Sequence, residues 1–326
     1  MSSGPGPEFA PAGPPASAGQ WLSIWAAADP KSLALLEQAK KIAQAASTVL
    51  IRGESGTGKD LLASLIHHLG PNANQPLVTI DCASLPHELM ESELFGYERG
   101  AFTGAAETKP GRLEMAGSGT VVLDEVAALT IPMQAKLLRV IDERRFERLG
   151  GTRPVVMQSG VRVIAITNVD LEHAVSRRTF REDLFYRLNV IPLLIPPLRE
   201  RPSDIQPLAQ RLAAQLSEVH HKPARTFSAE AIRALEAYAF PGNVRELRNL
   251  AERCIVAGES SAEISLAELP PYLTQAVAKK ATLEEMERAY IAEILDFTRG
   301  KKSKAAEILG ISRKTLLEKR KRYSLD

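Results

Sequence analysis

Gly53-Glu54-Ser55-Gly56-Thr57-Gly58-Lys59-Asp60 stands between a short aliphatic run at 48–51 and a stretch of helical periodicity that begins near Asp60. It matches GxxxxGK at the strand-to-helix position that phosphate binding requires. Glycines at 53, 56 and 58 let the backbone wrap a phosphate with its N–H groups inward, the following helix offers its positive end, and Lys59 supplies a point charge for the outer phosphates. The next position, where Ser or Thr usually touches magnesium, holds Asp60; a carboxylate there either holds the metal through water or faces solvent. Taken alone, the stretch also reads as a flexible glycine-rich turn before a helix.

Downstream, Val121-Val122-Leu123-Asp124-Glu125 is an apolar strand ending in two acids. A buried run that finishes in adjacent carboxylates needs a charged partner, and magnesium-nucleotide is the obvious one. In that role Asp124 orients Mg2+ through water and Glu125 polarises the attacking water, because phosphoryl transfer needs positioning and charge stabilisation more than covalent chemistry. The two motifs together point to a core that hydrolyses a nucleoside triphosphate. Thr167-Asn168 ends another apolar run, 161–166, and reads either as a γ-phosphate sensor or as an ordinary strand-end cap.

The chain has 326 residues, room for two or three domains. Apolar residues at 44% and charged ones at 25% exclude wholesale disorder. The net charge of +2 hides an asymmetry, since residues 299–326 hold ten Lys/Arg against three Asp/Glu. Cys82 and Cys254 lack CxxC spacing and fit reduced core thiols rather than a disulfide framework or a zinc knot. Residues 1–20 are rich in Pro and Gly, lack the basic start and apolar run of a signal peptide, and read as disordered. The longest uncharged apolar stretch, 190–198, contains three prolines and is too short to span a bilayer. A cytoplasmic protein without membrane contact is expected.

Within 21–198, aliphatic runs at 48–51, 77–80, 120–123, 161–167 and 190–194 alternate with helical patterns, the signature of a parallel sheet covered on both faces. After Pro196-Pro197 helical periodicity takes over at 205–220, 228–238 and 243–257, with Ser228 as an N-cap, giving an all-helical subdomain over 199–257. Residues 258–281 mix turn formers with a Pro-Pro pair and read as a linker, and 282–326 form a last unit. That unit has a helical pattern at 283–297, then Lys304-Ala305-Ala306, a glycine turn at Gly310, a Ser312 N-cap and a basic amphipathic helix, as a helix-turn-helix requires. Leu309, Ile311, Leu316 and Leu317 would be its core. Arg313, Lys314 and Thr315 would face the major groove, with Lys304, Lys319 and Arg320 placed for phosphates. By itself a basic helix reads equally as a solvated face.

Several further stretches carry a resemblance: ESELFGYERGAFTGA at 91–105, QAKLLRVIDERRFERLGG at 134–151, FREDLFYRLNVIPLLIPPLRERPSDI at 180–205 and FPGNVREL at 240–247. With GESGTGKD and VVLDE, they resemble the AAA+ domain of bacterial enhancer-binding proteins, the activators of sigma-54 RNA polymerase, over nearly all of 27–257. The specific element is Gly100-Ala101-Phe102-Thr103-Gly104-Ala105, which generic AAA+ ATPases lack. The resemblance implies an α/β AAA+ P-loop NTPase with a helical lid, ATP and Mg2+ as cofactors, and an all-α Fis-type helix-turn-helix domain after it. In that family the GAFTGA element is a loop tip that touches the sigma factor, which implies Phe102 and Thr103 as the contacts. Two glycines permit a tight loop and an exposed ring supplies apolar contact area, whereas the blander reading is a helix connection with a core Phe. Residues 148–159 correspond to the family's second mobile loop.

The same resemblance places Arg181 and Arg187 at the trans-acting fingers, each read otherwise as a surface ion pair. A finger can be worth about 10³ to 10⁵ in rate, and it implies a homo-oligomer: a ring, by analogy a hexamer, and a dimer when inactive. Arg245 matches the lid arginine that contacts nucleotide, with an interdomain ion pair as the other reading. Two positions depart from the family. Asp60 replaces the usual Glu, and Asp81 stands where an Asn usually holds the catalytic Glu, so that repulsion from Glu125 is expected. Residues 1–26 do not accommodate the sensory domain most relatives carry. Input is then expected from expression level or a regulatory protein in trans, unless the N-terminal residues mark a cut in a longer protein. Enhancer DNA and sigma-54 RNA polymerase are the expected partners. An AAA+ remodeller of some other protein and a passive DNA binder are the alternatives.

Overall fold

The five aliphatic runs form one parallel sheet, and their pleat explains the helices on both sides. The computed structural model describes residues 25–84, 86–157, 161–258, 261–273, 283–298 and 302–323. The expected disorder of residues 1–20 and linker residues 274–281 lie outside them. In chain order the elements are α1 (Pro30–Ala43), β1 (Val49–Arg52), α2 (Lys59–His68), β2 (Leu77–Asp81), α3 (His87–Phe95), β3 (Gly96–Tyr97), β4 (Lys109–Pro110), α4 (Arg112–Met115) and β5 (Thr120–Asp124). Then come α5 (Ile131–Glu143), β6 (Arg145–Glu147), β7 (Pro154–Val156), β8 (Arg162–Thr167), α6 (Leu171–Ser176), α7 (Glu182–Leu188) and β9 (Ile191–Leu194). The sheet order is β2-β5-β8-β1-β9, parallel throughout.

Successive side chains alternate between faces. Leu50, Val121, Leu123, Val163 and Ala165 enter one core with Phe95, Leu137 and Leu184. Their neighbours Val49, Ile51, Val122, Ile164 and Ile166 enter the other with Leu35, Leu62, Leu65 and Ile66. Each expected strand is present within a residue or so, and β5 runs one residue further than expected, so that Asp124 is its last member. The short pairs β3/β4 and β6/β7 were not expected, because two or three residues leave no periodicity to read.

The helical region consists of α8 (Ile205–Val219), α9 (Ala229–Glu236) and α10 (Asn243–Ala257), with the small parallel pair β10 (Thr226–Phe227) and β11 (Glu263–Ile264). Ser228 caps α9, its hydroxyl accepting from the Ala231 N–H at 3.2 Å. Buried Arg225 donates to the carbonyls of Cys254, Ser261 and Glu263 and pairs with Glu268 at 2.8 Å. Residues 261–268 are therefore stitched back onto the helical region.

The chain divides into two compact units at Leu269/Pro270. The second contains α11 (Leu283–Phe297), α12 (Lys302–Ile308) and α13 (Arg313–Tyr323) around Ile291, Ile294, Ala305, Ala306, Leu316 and Tyr323. Leu309 and Ile311 pack against this core. Leu317, expected in it, is 45% exposed. The buried face of α13 carries Leu316 and Tyr323, seven residues apart, and the next position turns about 100° away. Among the described residues no helix is long and apolar enough to cross a membrane.

Buried Arg162 links the sheet to α1, its Nη1 and Nη2 donating to the C-terminal carbonyls of Ala43 and Ile42 at 2.9 and 2.7 Å. The Ala43 carbonyl lies past the helix's own donors, and the Ile42 carbonyl also accepts from the Ala45 N–H at 3.0 Å. Arg162→Met is expected to lower stability by about 1.5–3 kcal/mol, the usual worth of hydrogen bonds to a charged group, read from the urea midpoint of the first unit.

Candidate functional site

The phosphate loop leaves β1 at the point where the chain crosses to the far side of the sheet, so the site lies at the carboxyl ends of the strands. Lys59 is buried and its Nζ donates to the carbonyls of Gly53 and Glu54, both at 3.1 Å. Burial lowers its pKa, against the opposing pull of Glu125, Asp124 and Asp60. Thr57 is buried, its hydroxyl donating to the Glu54 carbonyl at 2.8 Å. Asp60 opens α2 beside Lys59, in the first helical turn.

Asp124 and Glu125 stand at the end of β5. Burial first, then Asp60, Glu125 and Asp81, push the Asp124 carboxyl up to about 7. Glu125 is held at φ 51, a left-handed backbone that favours glycine and carries local strain. Its Oε2 accepts from the Asn168 N–H at 3.3 Å. Thr167 is buried and its hydroxyl accepts from the Val169 N–H at 3.0 Å, while Asn168 is exposed. Asp81 lies opposite Asp124 in the β2/β5 register, and its Oδ1 accepts from the Ala83 N–H at 2.9 Å.

This acid cluster around one lysine fits a magnesium-nucleotide. Its carboxylates oppose one another electrostatically, and among the described residues no group of three or more His, Cys, Asp or Glu is placed to hold a metal by itself. Such a donor set suits Mg2+ held by one or two carboxylates together with phosphates and water.

Sequence reasoning missed Arg199 and Asn243, two of the residues that lock the loop. Glu54 makes a two-pronged pair with Arg199 at 2.9 and 2.6 Å and accepts from Asn243 Nδ2 at 3.1 Å, which together bring its pKa down to about 2. Asn243 Nδ2 also donates to the Ser55 carbonyl, and its Oδ1 accepts from the Leu198 N–H at 2.8 Å. The N–H groups of Val244 and Arg245 reach the Gly56 carbonyl at 2.9 and 3.3 Å, and Arg245 Nη1 donates to the Ser55 hydroxyl. Gly56, at φ 76, leaves no room for a Cβ, which would lie 2.5 Å from the Gly242 carbonyl oxygen. The stretches LRERPSDI and FPGNVREL contained Arg199 and Asn243, but nothing local marked that they would turn to the loop.

Arg181 and Arg187 both lie at α7. Arg181 pairs with Asp183 at 2.7 Å and Arg187 with Asp142 at 2.6 Å. Buried Gln134 accepts from the Arg181 N–H at 2.8 Å and donates to the carbonyls of Leu129 and Thr179.

Residues Gly100–Ala105 form a tight turn closed by the Gly100 N–H on the Ala105 carbonyl at 2.9 Å. Gly100 and Gly104 have φ 85 and 106, in open space, so conformation and not crowding favours glycine there. Ala101 is half-buried and Ala105 buried, whereas Thr103 is exposed and the Phe102 ring is 44% exposed, edge-on to Tyr97 at 5.0 Å. The base of the turn is tied to the β6/β7 hairpin, since Arg148 pairs with Glu98 and Glu114 at 2.8 and 2.9 Å. Backbone bonds join Leu149 to Gly96 and Glu98, both at 2.9 Å.

In the second unit Ser312 Oγ accepts from the Thr315 N–H at 3.0 Å, an N-cap, and Gly310 turns at φ 64. Lys304, Arg313 and Lys314 are exposed, while Thr315 and Arg320 are half-buried. Lys319 is held by Glu287 at 2.6 Å.

Comparison with known proteins finds the sigma-54 interaction domain over residues 26–194, the AAA+ ATPase lid domain over 199–286 and the Fis family of bacterial regulatory proteins over 282–323. The chain is 47% identical over 300 residues to the alginate biosynthesis transcriptional regulatory protein AlgB of Pseudomonas putida, covering 91% of this chain and 66% of that protein. It is 41% identical over 311 residues to the regulatory protein AtoC of Escherichia coli, covering 91% and 67%. The structure of NtrX from Brucella abortus in complex with ATP superposes with a TM-score of 0.72 at 32% identity, covering 92% of this chain and 69% of that one. The chain thus belongs to the sigma-54-dependent transcriptional activators, AAA+ proteins whose ATPase domain and lid are followed by a Fis-type helix-turn-helix.

Proposed function

We propose that this protein hydrolyses ATP at the Gly53–Asp60 loop and uses the energy to present Phe102 and Thr103 to sigma-54 RNA polymerase while its second unit holds enhancer DNA. The observation that carries the reading is the Gly100–Ala105 turn, a glycine-flanked loop that keeps an aromatic ring and a hydroxyl at the surface of an ATPase fold. The family match over 26–194 supports it. Lys59 and the loop amides bind the phosphates, with Arg245 closing from the lid. The nucleoside end is assigned to the cleft lined by Trp25, Ala26, Leu61, Leu208, Leu212 and Val244, beside Thr57 and Gly58. Glu125 takes the proton-acceptor position for the attacking water, and the Asn168 N–H restrains its carboxylate. Mg2+, when bound, would supply charge neutralisation at the phosphates, with Asp124, through water, and Asp60 as the side chains that would hold it.

Arg181 and Arg187 act on a neighbouring subunit's nucleotide, which requires exchanging the ion pairs to Asp183 and Asp142 for contacts across a ring, assigned here as a hexamer assembled from dimers. Lys304, Ser312, Arg313, Lys314, Thr315, Lys319 and Arg320 face DNA, with phosphate contacts making the binding fall steeply with salt. A cytoplasmic location completes the reading.

Glu125→Gln is expected to lower ATP turnover by about 10² to 10⁴ while nucleotide still binds. Lys59→Ala is expected to weaken binding by about 2 kcal/mol or more, roughly 30-fold. Titration calorimetry and a phosphate-release assay separate the two. Thr103→Ala is expected to keep ATP turnover and lose open-complex formation by sigma-54 polymerase on a supercoiled enhancer template. Open complexes formed as well as with the wild type would instead favour an AAA+ remodeller of another target.

A further inference from the structure

Asp204 lies just ahead of α8, is 0% exposed, and has no place in the nucleotide chemistry above. Its carboxylate is claimed by the segment that enters the ATPase fold. Oδ1 accepts from the N–H groups of Ala28 and Asp29 at 2.6 and 2.7 Å, and Oδ2 accepts from the Ser32 hydroxyl. The nearest cation is Arg201, itself 4% exposed, whose Nη1 stands 3.7 Å from Oδ2. That is beyond the 2.7–2.9 Å of a charge-assisted hydrogen bond. Arg201 spends its Nη2 elsewhere, on the carbonyl of Thr57 in the phosphate loop at 2.9 Å.

The Thr57 carbonyl matters because a trans peptide points its N–H opposite to its C=O. Arg201, by fixing that carbonyl, fixes the direction in which the Gly58 N–H is offered. Trp25 and Ala26, immediately before the docked segment, line the same cleft as Thr57, Gly58 and Arg201. We propose that Asp204 and Arg201 form a relay by which docking of Ala28–Ser32 sets the grip of the phosphate loop on nucleotide. When the segment is docked, Asp204 is saturated by three donors and Arg201 serves Thr57. When it is withdrawn, a buried carboxylate is left short of partners and draws Arg201 into a direct pair, away from the loop. Both are positioning residues. The proposal rests on reading Gly53–Asp60 as the nucleotide site, and linkage makes it reciprocal: bound nucleotide must stabilise the docked segment by the same factor.

The test uses the full chain with ATP and the Glu125→Gln substitution in every arm, so that nucleotide persists. Ser32→Ala, which removes one donor from Asp204 without touching charge, is expected to raise the Kd for ATP about tenfold, within the usual range of coupling between sites. In an Asp204→Asn background the same change is expected to shift it less than about twofold, the signature of a shared path. Saturating ATP is expected to slow hydrogen exchange at the Ala28 and Asp29 amides. Lys31→Ala, which removes the exposed pair with Glu200 joining the same two segments, is the control and is expected to stay within about twofold. An unchanged Kd in Ser32→Ala, or exchange at Ala28 and Asp29 indifferent to ATP, overturns the relay even where Asp204→Asn fails to fold. Failure of the parent protein to bind ATP at all overturns the nucleotide reading itself and the relay with it.

Discussion

A strand buried on both faces has no place for a charged side chain except its end. The residues of β1, β5 and β8 alternate between two apolar cores, so every ionisable group near them is pushed to a terminus. Because the strands are parallel, their carboxyl ends share one edge, and Asp81, Asp124, Glu125, Thr167 and Asn168 collect there beside the loop that follows β1. The placement carries a cost, seen in the Asp124 carboxyl, which is raised first by burial and then by the neighbouring acids, and in the left-handed backbone of Glu125. Both are the kind of local violation that the surrounding packing of an active site sustains.

The second constraint is that the phosphate loop does not hold its own shape. The exposed Glu54–Arg199 pair, although well aligned, contributes little, as screened surface pairs do. The buried bonds decide instead. Asn243, itself at φ 51 and fully buried, joins Ser55, Glu54 and Leu198 with a single amide, and Gly56 accepts two N–H groups from the first turn of α10. A Cβ at Gly56 would part loop from lid. Lid position and loop geometry are therefore one variable, and a group that moves α10 also re-aims the loop amides.

The sheet and the phosphate loop were legible because both are local: five runs of alternating burial, and one motif whose spacing carries its mechanism. The capped α9 and the helix-turn-helix were legible for the same reason, through Ser228, Ser312 and Gly310. Arg199, Arg201 and Asp204 were not, although they stood in the quoted stretches, because their partners Glu54, Thr57 and Ala28 lie between 144 and 176 residues away. Leu317 was misplaced by counting an apolar residue as a buried one without following the helix round to its face. Asp81 illustrates a subtler limit. Repulsion from Glu125 was anticipated from charge alone, but the register sets Asp81 against Asp124, and its own carboxylate closes a turn on Ala83.

A run of contacts links the edge of carboxylates to the surface turn. Buried Gln134, on α5, holds the Leu129 carbonyl just past the acids of β5 and also the backbone of Arg181. The same helix runs directly into the β6/β7 hairpin, whose Arg148 grips Glu98 and Glu114 and whose Leu149 bonds to both sides of Tyr97. Tyr97 in turn meets Phe102 edge to face. Packed elements of this kind shift as bodies and do not deform continuously, so a displacement of α5 would reach the backbone at Arg181 and the base of the turn together. Only beyond Glu98 does the linkage loosen. There Gly100 and Gly104 stand in open space, and among the described residues the Phe102 ring rests on one aromatic neighbour, a contact worth about 1 kcal/mol.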